Sequence, residues 1–172
     1  PKGERIAKIM SRAGLCSRRE AERWIKGGRV TVDGEVLKTP AVTVTAANNI
    51  TIDGRPLPQA EPSRLWRYHK PTGLLTTHKD TDGRPTVFQS LPDTLPRLIS
   101  VGRLDLNSEG LLLLTNDGEL ARKLELPATG WRRRYRVRVQ GRIQADALFP
   151  LEDGMNIAGV KYGPIKASLD RQ

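Results

Sequence analysis

Gly102-Arg103-Leu104-Asp105-Leu106-Asn107-Ser108-Glu109-Gly110 runs directly into Leu111-Leu112-Leu113-Leu114-Thr115-Asn116-Asp117-Gly118. A single acid, Asp105, stands two residues after an arginine and just before a polar turn. The four leucines that follow form an uninterrupted apolar run of strand length, which is expected to be buried. A carboxylate placed beside a buried strand rests on rigid backing. The spacing therefore predicts an acid presented in a cleft, on a loop entering the leucine strand. Opening a turn would need no arginine at that distance.

The rest of the chain says what such an acid would meet. Its 172 residues hold 29 Lys and Arg against 19 Asp and Glu, a formal net charge of +10. That excess is the footprint of a protein that binds nucleic acid, or less often a membrane surface. The excess is shared about equally between the first 57 residues and the remainder, so both parts are expected to touch the polyanion. No apolar run approaches the roughly 20 residues of a membrane span, and the opening Pro1-Lys2-Gly3-Glu4 is not that of a signal peptide. A lone Cys16 excludes an internal disulfide and fits a reducing cytoplasm. With one Cys and two His, His69 and His78, no zinc-type ligand set exists. Cys16 reads as a small buried apolar residue, and the two histidines as ordinary strand or loop residues.

Two segments read differently. Ile6, Ile9, Met10 and Ala13 recur at helical spacing, so a helix is expected over Glu4 to Ala13, with Gly14 as its left-handed terminator. Ser17-Arg18-Arg19-Glu20 is a capping box that starts a second helix running to Lys26. Short β-branched pieces follow around turns: Val30-Thr31-Val32, Val42-Thr43-Val44 and Ile50-Thr51-Ile52, with Asp33-Gly34 and Asp53-Gly54 between them. Pro56, Pro58 and Pro62 mark an extended linker expected to hold no core residues. Beyond it, Trp66 to His69 reads as a strand meeting a Lys70-Pro71-Thr72-Gly73 turn, and Asp82-Gly83-Arg84-Pro85 as another turn. Asp117 is placed to cap a short helix through Glu119 to Leu126, and Tyr135 to Val139 alternates as a half-buried strand. The expected division is residues 1–57, a linker at 58–63, and a second domain over 64–172.

On the second helix Ala21, Trp24 and Ile25 share one face, and Arg19, Arg23 and Lys26 line nearly the opposite one, flanked by Arg18 and Arg29. Such a stripe suits phosphates, which supply affinity without sequence information; it is also what a solvated helix face looks like. Residues 4 to 57 resemble the small RNA-binding module named for a small-subunit ribosomal protein. The Ser-Arg-Arg-Glu-Ala step, the Gly-Arg-Val-Thr-Val-Asp-Gly turn and the Ile-Asp-Gly-Arg exit carry that likeness. The Gly-Arg-Leu-Asp block and its leucine run resemble the signature of the pseudouridine synthases that modify ribosomal RNA, a branch of which carries this module at its amino end.

The resemblance implies a reaction and a set of roles. Converting uridine to pseudouridine breaks the bond from ribose to the base nitrogen, turns the base, and rejoins it through carbon, with no cofactor. It requires a carboxylate held against the target nucleotide. In the family the aspartate of the motif is the catalytic residue, which makes Asp105 the catalytic residue here, attacking the nucleotide covalently or acting as a base on its sugar. Arg103 would help hold the target nucleotide out of its helix. Its proximity would also favour the ionised form of Asp105, and a salt bridge with Asp105 or Glu109 is a compatible role. Trp131-Arg132-Arg133-Arg134-Tyr135-Arg136-Val137 looks like the family's second motif, whose tyrosine stacks on the base. Tyr135 takes that role, and Arg133 stands where the family usually has lysine. A strand tyrosine is also a common core residue. Six arginines without an acid lie between Arg132 and Arg142, a run suited to RNA backbone or to solvent. Lys70-Pro71-Thr72-Gly73 and Gly83-Arg84-Pro85-Thr86-Val87 resemble the opening motif, with Lys70 and Arg84 as RNA contacts.

The expected fold is α+β: a helix-pair-plus-sheet RNA-binding module joined by the linker to a mainly antiparallel, mixed-sheet pseudouridine synthase domain. The family's last motif, rich in Gly, Asn and Arg, finds no counterpart after Lys166, and no Met precedes Pro1. A fragment, incomplete at its carboxyl end and open to loss of activity, is therefore expected. The implied protein is a cytoplasmic monomer acting on ribosomal RNA or a pre-ribosomal particle, large-subunit RNA being favoured. An unpaired strand edge in a fragment would invite dimerisation. The alternative is a catalytically silent RNA-binding or assembly factor on the same scaffold. A DNA-binding protein is disfavoured, since no helix shows the features of a major-groove reader.

Overall fold

The computed structural model describes residues 3–170. They form two compact units, one extending to Trp131 and one from Arg132 onward. The first contains two separate hydrophobic clusters, one on each side of the proline linker.

Before the linker, β1 (Glu4–Arg5) pairs antiparallel with β4 (Thr43–Val44), and α1 (Ile6–Arg12) follows at once. The helix is thus shorter than its periodicity suggested. Its first two expected residues are drawn into the strand pair, and the Ile6 amide donates to the Val42 carbonyl at 3.1 Å. Glu4 serves the helix from outside, its carboxylate meeting Lys8 at 2.9 Å and Arg12 at 2.7 Å. Ser17 caps α2 (Arg18–Lys26) by accepting the Glu20 amide at 3.1 Å.

The helices pack with a four-stranded antiparallel sheet ordered β3 (Glu35–Val36), β2 (Val30–Val32), β5 (Ile50–Ile52), β6 (Arg55–Pro56). Its two hairpins close on Asp33-Gly34 and Asp53-Gly54, with φ of 52° and 87° in the first and 49° and 76° in the second. Two successive positive φ values match the right-handed twist of the flanking strands. Ile6, Met10, Cys16, Ile25 and Val30 fill the core beneath them. Leu57 packs partly buried against this cluster and donates its amide to Ile50. A residue between Pro56 and Pro58 therefore joins the core, contrary to expectation, because the β5–β6 hairpin carries it back over the sheet.

After the linker, β7 (Leu65–Lys70), β9 (Gly110–Thr115) and β8 (Ile99–Val101) form an antiparallel sheet with β9 central. Trp66 lies opposite Leu114, Tyr68 opposite Leu112, and Lys70 opposite Gly110. Leu112 and Leu114 are buried with Val87 and Leu98, against Trp66 and Tyr68. Leu111 is 66% exposed, so the leucine run is not buried throughout. Strand side chains alternate between faces, and Leu111 falls on the other face from the core. α3 (Gly118–Glu125) packs against β8 and β9 and is capped by Asp117, which accepts the Glu119 and Leu120 amides at 2.8 and 3.3 Å.

A salt bridge from Lys8 on α1 to Glu119 on α3 ties the halves of this unit together. The linker is fastened too: Asn116 accepts the Arg64 amide at 2.8 Å and donates to the Pro62 carbonyl at 2.9 Å. In the second unit a 3₁₀ segment over Ala145–Asp153 precedes a hairpin of β10 (Met155–Ile157) and β11 (Val160–Tyr162). Residues 132–139 form no strand. The alternation of Tyr135, Val137 and Val139 marks a capacity to pair. A strand also needs a neighbour to complete its ladder, and among the described residues this stretch has none.

Candidate active site

The loop that carries Asp105 is held almost entirely by backbone. Thr76 Oγ1 donates to the Leu104 carbonyl at 2.8 Å and accepts the Leu104 amide at 3.3 Å. The Asp105 carbonyl accepts the Ser108 amide at 3.0 Å, closing a tight turn. The Gly73 amide donates to the Leu106 carbonyl at 2.8 Å. Leu104 packs against the core cluster, while the side chains of Arg103, Asp105, Asn107 and Glu109 are exposed.

Lys70 is the clasp. Trp66, Tyr68 and Lys70 share the inward parity of β7, so its side chain enters the interior and is fully buried. Its ammonium donates to the carbonyls of Ser108 at 2.8 Å, Asp105 at 3.0 Å and Pro71 at 3.0 Å, with Leu106 O at 3.5 Å. Burial lowers its pKa, and the negative charge of Asp105 acts against that shift. Three donors spent on carbonyls leave none for a phosphate. Lys70 is therefore not an RNA contact, as the sequence suggested; it fixes the backbone on which Asp105 stands.

The other expected site residues divide into free and engaged groups. Among the described residues no ion pair joins Arg103 to Asp105 or Glu109, so the salt-bridge role expected of Arg103 is not realised and its guanidinium is free. Arg84 is engaged instead by its own loop, meeting Asp80 at 2.8 Å and Asp82 at 3.1 Å. Its hydrogen bonds hold the Asp80 carboxyl down to about 2. The charge of Arg84 is thus already compensated within its own loop, which counts against it as an RNA contact.

On α2, Arg18, Arg19, Arg23 and Lys26 are exposed, with Arg23 3.7 Å from Glu20. Arg29 is pinned by a bidentate pair with Asp53 and lies over the Trp24 ring at 4.6 Å. Cys16 is buried, which pushes its thiol up to about 11, and His69 is exposed on β7. Arg133 and Tyr135 belong to the second unit and are exposed there. The structure thus gathers Asp105, Lys70 and Thr76 in one place. Thr76 gave no signal in the sequence. Lys70 gave one, its inward strand parity, beneath a motif that suggested RNA.

An exposed carboxylate on a clamped loop, beside a free arginine and in a basic chain, suits chemistry on an RNA nucleotide. Comparison with known proteins agrees. The S4 domain family matches residues 4–56, and the RNA pseudouridylate synthase family matches residues 64–166. The chain belongs to the RNA pseudouridylate synthases that carry an S4 domain, and it is a pseudouridine synthase, an isomerase. An uncharacterized RNA pseudouridine synthase of Rickettsia felis is 49% identical over 98% of this chain and 73% of its own length. The ribosomal large subunit pseudouridine synthase B of Yersinia pestis is 46% identical over 90% of this chain and 51% of its own. The Pseudomonas aeruginosa protein of the same name is 40% identical over 98% of this chain and 44% of its own. A crystal structure of a pseudouridylate synthase superposes with a TM-score of 0.58 at 23% identity, covering 97% of this chain and 73% of that one; this likeness speaks to the fold.

Proposed function

We propose that the protein isomerises a specific uridine of large-subunit ribosomal RNA, with Asp105 as the catalytic carboxylate. The observation that carries this reading is the Asp105 loop. Its backbone is bound from below by Lys70 and Thr76 while its side chain stays exposed and makes no hydrogen bond among the described residues. A group so placed is positioned before substrate arrives, which is what a reaction limited by orientation needs. The bond from ribose C1′ to base N1 breaks, the base turns, C1′ joins C5, and the proton lost from C5 is balanced by one gained at N1. Atoms and electrons balance without a co-reactant. Arg103, free beside Asp105, holds the target nucleotide out of its helix. The choice of the large subunit rests on the Yersinia and Pseudomonas relatives named for it.

The test is release of tritium from RNA labelled at uridine C5, with large- and small-subunit RNA supplied separately. Release from large-subunit RNA that vanishes in Asp105→Asn, with RNA affinity little changed, is the expected result. Release from small-subunit RNA alone would refute the substrate. Intact RNA binding without release from either RNA would favour the silent-binder alternative. Turnover surviving in Asp105→Asn would remove the residue from its role.

A further inference from the structure

Between the Arg84 loop and β8 the chain folds around a recess of about 250 Å³ that is separate from the Asp105 loop. Its wall includes His78, Phe88, Leu91 and Leu98, with Arg97 and Asp93 as its charged members. His78 lies flat on Phe88, ring centroids 3.7 Å apart at an interplanar angle of 9°. Phe88 and Leu91 pack against the buried Leu98 and its cluster, so the wall is rigid.

Arg97 is the anomaly. Its guanidinium is half-buried, yet among the described residues it has neither an ion pair nor a hydrogen bond. Glu20 on α2 is near enough to act on it electrostatically but pairs with Arg23 instead. Partial burial of a charge is costly unless an opposite charge compensates. Burial also lowers its pKa from an arginine's usual value, the direction expected of a cation lacking a counter-charge. His78, stacked on Phe88, is itself exposed to solvent. Asp93, at the exposed rim, is the only acid in the lining.

We propose that this recess receives a backbone phosphate of the substrate RNA on Arg97, away from the target nucleotide. The inference rests on the RNA reading of the site and deepens it. Arg97 precedes Asp105 by eight residues, so the two are at most about 29 Å apart along even a fully extended chain. One bound RNA can therefore meet both. A guanidinium suits a phosphate because its fork donates two parallel hydrogen bonds to the anion's oxygens. Asp93 at the rim opposes a second anion and would weaken the site slightly.

The experiment measures affinity for substrate RNA across a salt series, in the native chain, Arg97→Gln, Arg97→Lys and Asp93→Asn. Arg97→Gln is expected to weaken binding by about 5- to 10-fold and to reduce the slope of log affinity against log salt by about 0.7 to 0.9. Arg97→Lys should keep most of that slope, and Asp93→Asn should tighten binding by about twofold. A single methylphosphonate in the RNA should reproduce the loss in the native chain and be silent in Arg97→Gln. An unchanged slope in Arg97→Gln, or weaker binding in Asp93→Asn, would overturn the proposal while leaving the catalytic reading intact. Absence of RNA binding by the native chain would overturn both. Should Arg97→Gln fail to fold, Asp93→Asn and the methylphosphonate series in the native chain decide the question.

Discussion

At the scale of single residues, the placement of the Asp105 loop is a matter of where backbone carbonyls point. Lys70 gathers three of them into one buried cluster and so sets the position of Asp105 without touching its carboxylate. Lys70→Met keeps the apolar stem and removes the donors, leaving those carbonyls unpaired in the interior. Stability should fall by about 2 to 3 kcal/mol, read from the urea midpoint. In the folded fraction kcat should fall more than KM rises; a loss of stability with kcat intact would show a purely structural lysine. Asp80 gives a pH signature. Its folded pKa lies near 2, below the ordinary carboxylate value, because Arg84 hydrogen-bonds the ionised form. A depressed carboxylate contributes stability that is complete above about pH 4 and is lost as pH falls toward 2. An NMR titration of Asp80 should therefore show a midpoint near 2 that returns toward the ordinary range in Arg84→Gln. An ordinary midpoint in the native chain would contradict the pairing.

At the scale of elements, the helices begin where short polar side chains accept their first amides. Asp117 does this for α3 and also meets Ser63 of the linker, coupling the start of the helix to the route of the chain between the two cores. Asp117→Ala should cost about 1 to 2 kcal/mol, measured by thermal unfolding, whereas Asp117→Asn should recover most of the loss. If the alanine variant is as stable as the native chain, the cap contributes nothing. The Tyr135 to Val139 segment makes the opposite point. Its alternation is as regular as that of β7, but β7 has β9 beside it and this segment has no ladder partner among the described residues. Alternation describes one face of a strand and says nothing about its neighbour.

At the scale of the whole molecule, a net charge of +10 draws RNA to the protein, and the exposed row of Arg18, Arg19, Arg23 and Lys26 is its most concentrated part on a single helix. Replacing all four by glutamine should weaken RNA binding equally for target and unrelated sequences and reduce the salt slope by about 3. A loss confined to the target sequence would instead make α2 a reader of bases. The two cores of the first unit fill independently, yet the Lys8 to Glu119 bridge and the anchored linker join them.

The sequence by itself determined the local elements and the family to which the chain belongs. Ser17, Asp117 and the two Asp-Gly turns act within a few residues of themselves, so their outcomes were legible from spacing. The same holds for the family, since the motif around Asp105 is a run of neighbours in the chain. Only the tertiary structure decided which charged groups are spent. Lys70 and Arg84 read as RNA contacts until their partners were located, in one case carbonyls 35 and 38 residues away, in the other the carboxylates of a folded-back loop. Arg97 stood unremarked in the sequence and is half-buried with no such partner among the described residues. The physical reason is common to all three: whether a charge is free depends on what lies within a few ångströms of it, and that is a property of packing rather than of order along the chain.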